Sequence, residues 1–308
     1  MIRKPSIALI TPALAAANNG NWRTAERWRR MLADDYAVRL LPAWDGDPRD
    51  VALIALHARR SHASITAWAR SRQEPLAVVL TGTDVYGDLP RGDAATRASC
   101  AAATRLVVLQ DEARRALPDA WRDKARVIIQ SATPLRPVEH KPLRHLRAVV
   151  AGHLRDEKAP GTVLEAARLL HAGGEPIFID HIGAALDERW ADAARATAAA
   201  CPRYRWLGAL AHGQTRRRIQ HAHLLVHPSQ QEGGAQVIAE ALCAGTPVLA
   251  SRISGNLGML GGGWPAYFEP GDAQGLAARL RQAAADRATL AQWRLQGERR
   301  APLFAPQR

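Results

Sequence analysis

The chain has 308 residues, 47% of them hydrophobic, and its formal net charge at pH 7 is +13. This length is enough for a large core and favours two globular domains over one. No apolar run reaches the length of a membrane span, and the N-terminal residues lack an export pattern. We therefore expect a cytoplasmic protein with no stable membrane insertion.

The positive charge comes almost entirely from arginine, because 42 basic residues include 4 lysines, which leaves 42 − 4 = 38 arginines. Nucleic-acid platforms interleave basic and aromatic residues, and the sequence has no such stripe. We expect no nucleic-acid partner, whereas small anions fit a positive field. The cysteines Cys100, Cys201 and Cys243 have no paired spacing, which argues against a disulfide framework or a zinc site. The sequence leaves the oligomeric state open.

Short β-branched segments alternate with Ala-rich helical segments along the whole chain. Five strands are predicted in the first half, at residues 6–10, 51–57, 77–82, 105–110 and 126–130. Pro134, Pro137 and Pro142 then disfavour regular structure and predict a linker. Five more strands follow, at residues 147–153, 177–183, 204–208, 224–229 and 247–251.

This alternation is typical of parallel sheets with crossover helices and predicts the α/β class. We expect two doubly wound, Rossmann-like domains, residues 1–142 and 143–308, facing each other across a cleft. We also expect the final helix to pack back on the first domain. Ligands of such sheets bind beyond the carboxyl ends of the strands, so the cleft is the expected site.

The segment 227–251, HPSQQEGGAQVIAEALCAGTPVLAS, carries two glutamates around a Gly-Gly pair. We expect a strand, a loop, and a helix over residues 235–244 that begins at the glycines. Amides at Gly233, Gly234 and Ala235, together with the positive end of the helix, would bind an anion. Glu232 and Glu240 would accept paired hydrogen bonds from vicinal hydroxyls. The pattern fits a nucleotide sugar; the alternative is a tight turn with two solvated carboxylates.

The segment GHLRDEK, residues 152–158, supplies cations after the first strand of the same domain. His153, Arg155 and Lys158 are candidates to stabilise charge that grows on a leaving diphosphate. The alternative for Lys158 is an exposed lysine at the start of a helix, without a role in binding. For Arg155, an exposed side chain without a role in binding is the favoured interpretation. In the first domain, Asn18 to Thr24 predict a second anion site, or equally an ordinary turn with an Asn cap.

These motifs resemble the family 4 class of GT-B glycosyltransferases over nearly the whole chain. The resemblance lies in the Glu-x7-Glu segment, GHLRDEK, ALCAGTPVLAS and the late EPGDAQGLAARL. The segments TPALAAANNGNWRTAERW, LHARRS, VVLTGTD, DHIGAALD, CPRYRWLGAL and RAPLFAP resemble more narrowly the selenosugar synthases of selenoneine biosynthesis. The chain departs from the broad family at His153, where an arginine is usual, and at Thr81-Gly82, where His-Gly is frequent.

The resemblance implies an acceptor-binding first domain and a second domain that binds the nucleotide sugar. It implies catalytic roles for Lys158 and Glu232. Donor-binding residues would be Gly20, His153, Arg155, Lys158, Glu232, Gly233, Gly234, Ala235 and Glu240. Acceptor-binding residues would be Asn18, Asn19, Asn21, Arg23, Arg59, Arg60, Thr81, Thr83 and Asp84.

The expected reaction joins selenophosphate to the anomeric carbon of UDP-N-acetylglucosamine or UDP-glucose and gives a selenosugar, UDP and phosphate. No catalytic His-Asp pair is evident in the sequence, which suits a highly charged nucleophile that needs placement more than deprotonation. No Asp-x-Asp pair follows a strand, so we expect neither metal nor cofactor. The alternatives are a conventional transferase acting on a sugar, lipid or small alcohol, and a non-catalytic nucleotide-sugar sensor.

Overall fold

The computed structural model describes residues 4–12, 20–71 and 75–306. Contacts divide the chain into two compact units, Met1–Gln130 and Ser131–Arg308, called unit 1 and unit 2 below. The predicted acceptor residues Asn18 and Asn19 lie outside the described residues. No helix in the described ranges is long and apolar enough to cross a bilayer.

Unit 1 contains a six-stranded sheet of order β2-β1-β3-β4-β5-β6, in which every described pairing is parallel. Its strands are β1 Ser6–Ile10, β2 Ala37–Leu41, β3 Asp50–Leu56, β4 Leu76–Val79, β5 Arg105–Val108 and β6 Ala125–Val127. Its helices are α1 Gly20–Leu32, α2 His62–Ser71, α3 Ala94–Ala102, α4 Asp111–Arg115 and α5 Asp119–Arg122. A π-helical turn, Asp84–Asp88, follows β4.

Unit 2 repeats this architecture with a six-stranded sheet of order β12-β11-β10-β7-β8-β9, again parallel. Its strands are β7 Leu146–Ala151, β8 Ile177–Ile182, β9 Tyr204–Trp206, β10 Leu224–His227, β11 Val248–Ser251 and β12 Tyr267–Phe268. Its helices are α6 Pro160–Ala172, α7 Glu188–Ala200, α8 His212–His221, α9 Gln236–Leu242, α10 Ser254–Leu260, α11 Ala273–Ala285 and α12 Arg287–Arg300. Two short 3-10 turns, Asp156–Lys158 and Ala301–Phe304, complete it.

The two sheets confirm the predicted α/β class. Central strands such as β10 and β11 are buried along their whole length, because helices cover both faces of a parallel sheet. The edge strand β2 is only half-buried, and the short β12 has two residues. Neither was predicted: Arg39 interrupts the apolar residues of β2, and β12 is too short to give a pattern.

The Pro-rich segment predicted as a linker, residues 131–145, falls within unit 2. The amide of Leu135 donates to the carbonyl of Cys243 at 3.0 Å, and the Gln220 side chain donates to the carbonyl of Arg136 at 2.7 Å. The left-handed Gly245 lies against Pro137, whose ring carbons would be 3.0 Å from an added Cβ. The prolines thus keep the segment extended along unit 2.

Candidate active site

A lysine and a glutamate from two neighbouring strand ends form an ion pair in unit 2. Lys158 ends the 3-10 turn after β7, and Glu232 lies in the loop after β10; the two strands are hydrogen-bonded neighbours. The Lys158 ammonium contacts Oε1 of Glu232. The side chains are 22% and 11% exposed, so the pair is shielded but accessible to a ligand. The two residues predicted as catalytic therefore lie together.

Two backbone contacts fix this pair. The amide of Gln230 donates to the carbonyl of Glu157 at 2.8 Å, which ties the Glu232 loop to the turn that carries Lys158. Gly255 in α10 approaches so closely that an added Cβ would lie 2.2 Å from the Glu232 carbonyl oxygen. The lysine stem packs over Gly152, where an added Cβ would lie 3.6 Å from Cδ of Lys158. Gly152 and Gly255 therefore allow the close packing that holds the Lys158 ammonium next to the Glu232 carboxylate.

His227, the last residue of β10, is the buried neighbour of Glu232. Its Nε2 lies 3.3 Å from Oε1 of Glu232, outside the direction of an aligned hydrogen bond. We therefore treat the contact as electrostatic. Burial lowers the pKa of His227 below its ordinary 6.5, an effect that Glu232 partly offsets, so the ring is neutral at pH 7.

The pKa of Glu232 lies well below its ordinary value of 4.5. Burial acts to raise it, but the positive charge of Lys158, followed by the contact with His227, outweighs that effect. Glu232 is consequently a fixed negative charge throughout the neutral range. It is an acceptor of hydrogen bonds there and not a proton donor.

Glu240 in α9 is paired with a histidine. Its Oε1 lies 2.6 Å from Nε2 of His212, the first residue of α8. The Glu240 side chain is 8% exposed and that of His212 is 44% exposed. Glu240 therefore keeps a buried carboxylate whose partner can move toward solvent when a hydroxyl-bearing ligand competes for it.

His153 is held by the backbone beside β8. Its Nδ1 accepts the amide of Ala184 at 3.1 Å, so the neutral ring carries its proton on Nε2. Gly183, with φ of +150°, approaches so closely that an added Cβ would lie 2.0 Å from the carbonyl oxygen of Gly152. Where the related family usually has an arginine, this chain thus has His153, whose Nε2–H is a single hydrogen-bond donor with a fixed orientation.

The predicted anion site is placed differently from expectation. Helix α9 begins at Gln236 and ends at Leu242, so it does not begin at the glycines. Ala235 precedes it with extended backbone, φ −76° and ψ 101°, and keeps Gly233 and Gly234 in the loop. The expectation of a helix over residues 235–244 was wrong by one residue at the start and two at the end.

Arg155 precedes the turn that carries Lys158, and its side chain is 42% exposed. Its Nε lies 3.8 Å from a Glu157 oxygen. Gly20 begins α1 in unit 1, is exposed, and has no atom within 4 Å of an added Cβ. Their predicted donor roles stay predictions.

In unit 1, three of the residues predicted to bind the acceptor, Thr81, Thr83 and Asp84, gather around a histidine that sequence reasoning missed. His57 follows β3, and Nδ1 of its ring lies 2.7 Å from Oδ1 of Asp84. Its Nε2 makes a 3.2 Å hydrogen bond with the hydroxyl of Thr83. Asp84 also accepts the amide and the hydroxyl of Thr81, at 2.8 and 2.9 Å. No catalytic His-Asp pair was evident in the sequence, whereas the structure brings His57 and Asp84 into contact; the partners come from neighbouring strands and are 27 positions apart in sequence.

Arg59 is directed toward carboxylates of the same unit. Its guanidinium lies 3.4 Å from Asp88 and 3.5 Å from Asp93. Arg60 lies exposed in the adjacent turn, and Asn21 and Arg23 are in the first turn of α1.

Within the described ranges, one group of side chains has the spacing of metal ligands: His57, Asp84 and Asp88 offer atoms within 4.8 Å of one another. Asp88, however, accepts a hydrogen bond from the guanidinium of Arg91 at 2.8 Å. The two arginines at this carboxylate, Arg59 and Arg91, oppose the binding of a metal cation there. His57, Asp84 and Asp88 therefore have the spacing of metal ligands, but the charges around Asp88 do not favour a metal ion.

Comparison with known proteins gives a family match for unit 2. The model of the family described as glycosyl transferases group 1 matches residues 132–300. That range contains Lys158, Glu232 and Glu240. No curated protein matches the chain.

Solved structures share the fold of nearly the whole chain. Sucrose-phosphate synthase from Thermosynechococcus elongatus is 17% identical with a TM-score of 0.78, over 98% of this chain and 95% of that one. Anabaena Alr3699/HepE, solved in complex with UDP and glucose, is 15% identical with a TM-score of 0.73, over 97% and 95%. S. aureus TarM is 13% identical with a TM-score of 0.67 over 81% of this chain, which spans 51% of TarM. At these identities the similarity establishes the fold.

Proposed function

The chain belongs to the group 1 glycosyl transferases and has the GT-B fold, and from this premise we propose that it transfers a sugar from a UDP-sugar to selenophosphate. The products are a selenosugar, UDP and phosphate, with UDP-N-acetylglucosamine or UDP-glucose as the donor. The C–O bond between the sugar and UDP breaks, and a C–Se bond forms at the anomeric carbon. The Se–P bond is then hydrolysed.

The observation that carries the donor part is the Lys158–Glu232 ion pair on adjacent strand ends of the family-matched unit. Lys158 would neutralise the diphosphate as negative charge grows on it. Glu232, ionised throughout the neutral range, would accept hydrogen bonds from sugar hydroxyls. Glu240 would bind the ribose after exchanging its contact with His212. The complexes of Alr3699/HepE with UDP-glucose support UDP as the nucleotide.

The acceptor part is supported by the sequence resemblance and by the polar residues at the carboxyl ends of β3 and β4. The hydroxyls of Thr81 and Thr83 lie 3.1 Å apart, and Arg59 and Arg60 lie in the turn that follows β3. Hydroxyls and guanidinium groups are the donors that suit phosphate oxygens. A small, highly charged nucleophile fits this set.

The experiment is anaerobic incubation of the protein with selenophosphate and each UDP-sugar, followed by mass spectrometry of the products. We expect a selenium-containing sugar from wild type and from Lys4→Ala, a change at an exposed lysine. Lys158→Ala should give at least tenfold less product at equal protein concentration. If wild type forms no selenium-containing sugar from either donor, the acceptor assignment is wrong.

A conventional transfer to a hydroxyl group is the second candidate, and one observation favours it. The contact between His57 and Asp84 is the arrangement that removes a proton from a hydroxyl nucleophile. Transfer to glycerol or a sugar without selenium would support this candidate. Binding of a UDP-sugar with no turnover of any acceptor would instead indicate a sensor.

A further inference from the structure

We propose that three arginines around Asp180 in unit 2 form a binding site for a phosphate dianion, either inorganic phosphate or the phosphate monoester group of a larger molecule. The site consists of Arg147 in β7, Asp180 in β8, Arg205 in β9 and Arg218 in α8, and is called the Asp180 cluster below. None of these residues is predicted to bind the donor or the acceptor. The inference goes beyond the proposed function and does not depend on it.

The strand register brings the cluster together on one face of the sheet. Asp180 pairs with Arg205 of β9, and Phe178, two residues before Asp180, pairs with Arg147 of β7. Paired residues share a face, as do residues two apart on one strand, so these side chains lie side by side. Arg147 is at the amino end of β7, whereas Lys158 follows the carboxyl end. The cluster is therefore separate from the candidate active site.

Asp180 is the centre of the cluster, and its side chain is only 2% exposed. Arg205 binds both of its oxygens, with Nε 2.8 Å from Oδ1 and Nη2 2.9 Å from Oδ2. Nη1 of Arg147 lies 3.2 Å from Oδ2, and Nη1 of Arg218 lies 3.7 Å from the same oxygen. One carboxylate thus fixes three guanidinium groups while it uses only a minority of their N–H donors.

The positive charge of the cluster exceeds what Asp180 requires. One cation neutralises a buried carboxylate, and Arg205 alone supplies two aligned hydrogen bonds. Three arginines and one aspartate leave a net charge of 3 − 1 = +2. Among the described residues, Asp180 is the one carboxylate with which these arginines form ion pairs. A dianion would restore neutrality.

The remaining donors reach solvent from guanidinium groups that are already held in place. The side chains of Arg147, Arg205 and Arg218 are 29%, 46% and 50% exposed. The Arg147 guanidinium also lies 5.1 Å from the centre of the Phe178 ring, a cation–π contact that restrains it. Groups that are restrained before binding lose little conformational entropy on binding, and the forked donors of arginine match phosphate oxygens.

A neighbouring histidine responds to the excess positive charge. The ring of His145 lies 5.1 Å from the ring of Phe178, on which Arg147 also packs. Burial, followed by the charges of Arg147 and Arg287, lowers the pKa of His145 below its ordinary 6.5. The ring is therefore neutral at pH 7, and the arginines are the groups that carry the charge.

The geometry of the cluster suits a compact ligand. Each guanidinium group has a nitrogen within 3.7 Å of the same carboxylate, so the three groups lie around one point. A phosphate dianion carries its charge on oxygens around a single atom, whereas a nucleic acid distributes its charges along a backbone. The cluster therefore fits phosphate better than an extended polyanion.

The experiment follows the reaction of each arginine of the full-length protein with phenylglyoxal, mapped by mass spectrometry of peptides. Inorganic phosphate is increased at constant ionic strength, with chloride as the anion that it replaces. Arg217 is the internal control, because it is exposed in α8 and forms no ion pair among the described residues. We expect phosphate to slow the modification of Arg205 and Arg218 with a saturable dependence on its concentration, and to leave Arg217 unchanged.

Two variants separate phosphate binding from general screening of charge. Arg218→Gln leaves the hydrogen bonds between Arg205 and Asp180 in place and removes one phosphate donor, so half-protection of Arg205 should require about tenfold more phosphate. Arg217→Gln should leave this concentration unchanged. Melting temperatures are recorded for both variants, and we expect them to equal that of wild type because both side chains are exposed.

Vesicles of phosphatidylcholine with and without phosphatidic acid identify the source of the phosphate. Protection by inorganic phosphate without vesicle binding would assign a soluble ligand. Co-sedimentation that needs phosphatidic acid and is lost in Arg218→Gln but kept in Arg217→Gln would assign a lipid monoester.

Three results would overturn the proposal. The first is equal slowing of Arg205, Arg217 and Arg218, which would show screening of charge alone. The second is the absence of both phosphate protection and binding to phosphatidic acid, or binding that Arg218→Gln leaves unchanged. The third is protection by a single-stranded oligonucleotide and not by phosphate or phosphatidic acid, which would indicate an extended polyanion instead.

Discussion

Replacing Gly255 by alanine tests whether the position of the Glu232 loop controls turnover. The new Cβ would lie 2.2 Å from the carbonyl oxygen of Glu232 and 2.8 Å from its Cβ, whereas real Cβ contacts essentially never fall below 3.0 Å. The loop or α10 must therefore shift by about 1 Å, since packed interiors have little free space. Gly255 is not among the residues predicted to bind a substrate, so we attribute an effect on catalysis to the displaced Glu232 loop.

A displacement of this size costs on the order of 100-fold in rate when it moves a group that acts on the reacting centre. We expect kcat to fall by about 10- to 100-fold, equivalent to about 1.4 to 2.7 kcal/mol of activation free energy. UDP affinity should change little, because Glu240 lies in α9 and keeps its contact with His212. The stability effect is smaller, since alanine gains about 0.5 to 1 kcal/mol of helix propensity against the clash.

The assay is steady-state release of UDP with the donor varied, together with UDP titration by calorimetry and thermal melting. Gly262→Ala is the matched control, because an added Cβ at this position two residues after α10 has no atom within 4 Å. A folded Gly255→Ala protein with wild-type kcat would refute the reasoning. So would a loss confined to UDP affinity.

Three further predictions concern the same site. Glu240→Gln should weaken UDP binding by about 1 to 3 kcal/mol, because it removes a contact to the ribose. Glu232→Gln should lower kcat by about 10- to 1,000-fold and leave UDP affinity unchanged. Equal losses of UDP affinity in the two variants, measured by calorimetry, would contradict this division of roles. Because the pKa of Glu232 is depressed, its stabilising charge is fully present above its ordinary value of 4.5 and is lost as pH falls toward the folded-state pKa. Denaturant unfolding should thus show a constant stability difference between wild type and Glu232→Gln from about pH 7 to pH 5 and a smaller one at pH 3; a constant difference throughout would count against the ion pair. Turnover should survive excess EDTA, because in the proposed reaction Lys158 takes the place of a metal as the positive charge on the diphosphate; strict dependence on magnesium or manganese would contradict that role.

The architecture was readable from the sequence because ten strands of the two sheets are short segments rich in apolar residues between turn residues. All ten were found, with boundaries that differ by a few residues. The strands that escaped prediction, β2 and β12, are sheet edges whose burial depends on tertiary neighbours. That residues 131–145 pack along unit 2 could likewise not be predicted from the sequence, because their course depends on tertiary contacts such as the hydrogen bond from Leu135 to Cys243.

The site was partly readable for a related reason. Lys158 and Glu232 each follow an apolar strand, so the sequence indicated that a charged side chain lies near the end of each strand. The structure brings the two side chains into contact. The histidines were harder to identify: His57, His212 and His227 end or begin elements, and their partners come from other elements. A signal for His57 existed in the segment LHARRS, where a polar ring directly follows a buried strand. Which carboxylate it would meet required the register of β3 against β4.

The course of residues 131–145 determines where this protein can be divided. A fragment that began at residue 143 would expose Gly245 where Pro137 now covers it, and would leave the Cys243 carbonyl without the Leu135 amide. It would also remove the carbonyls to which the side chains of Arg216 and Gln236 donate. Unit 2, produced by itself, should accordingly begin at Ser131, with the prolines retained as its first stretch of folded chain.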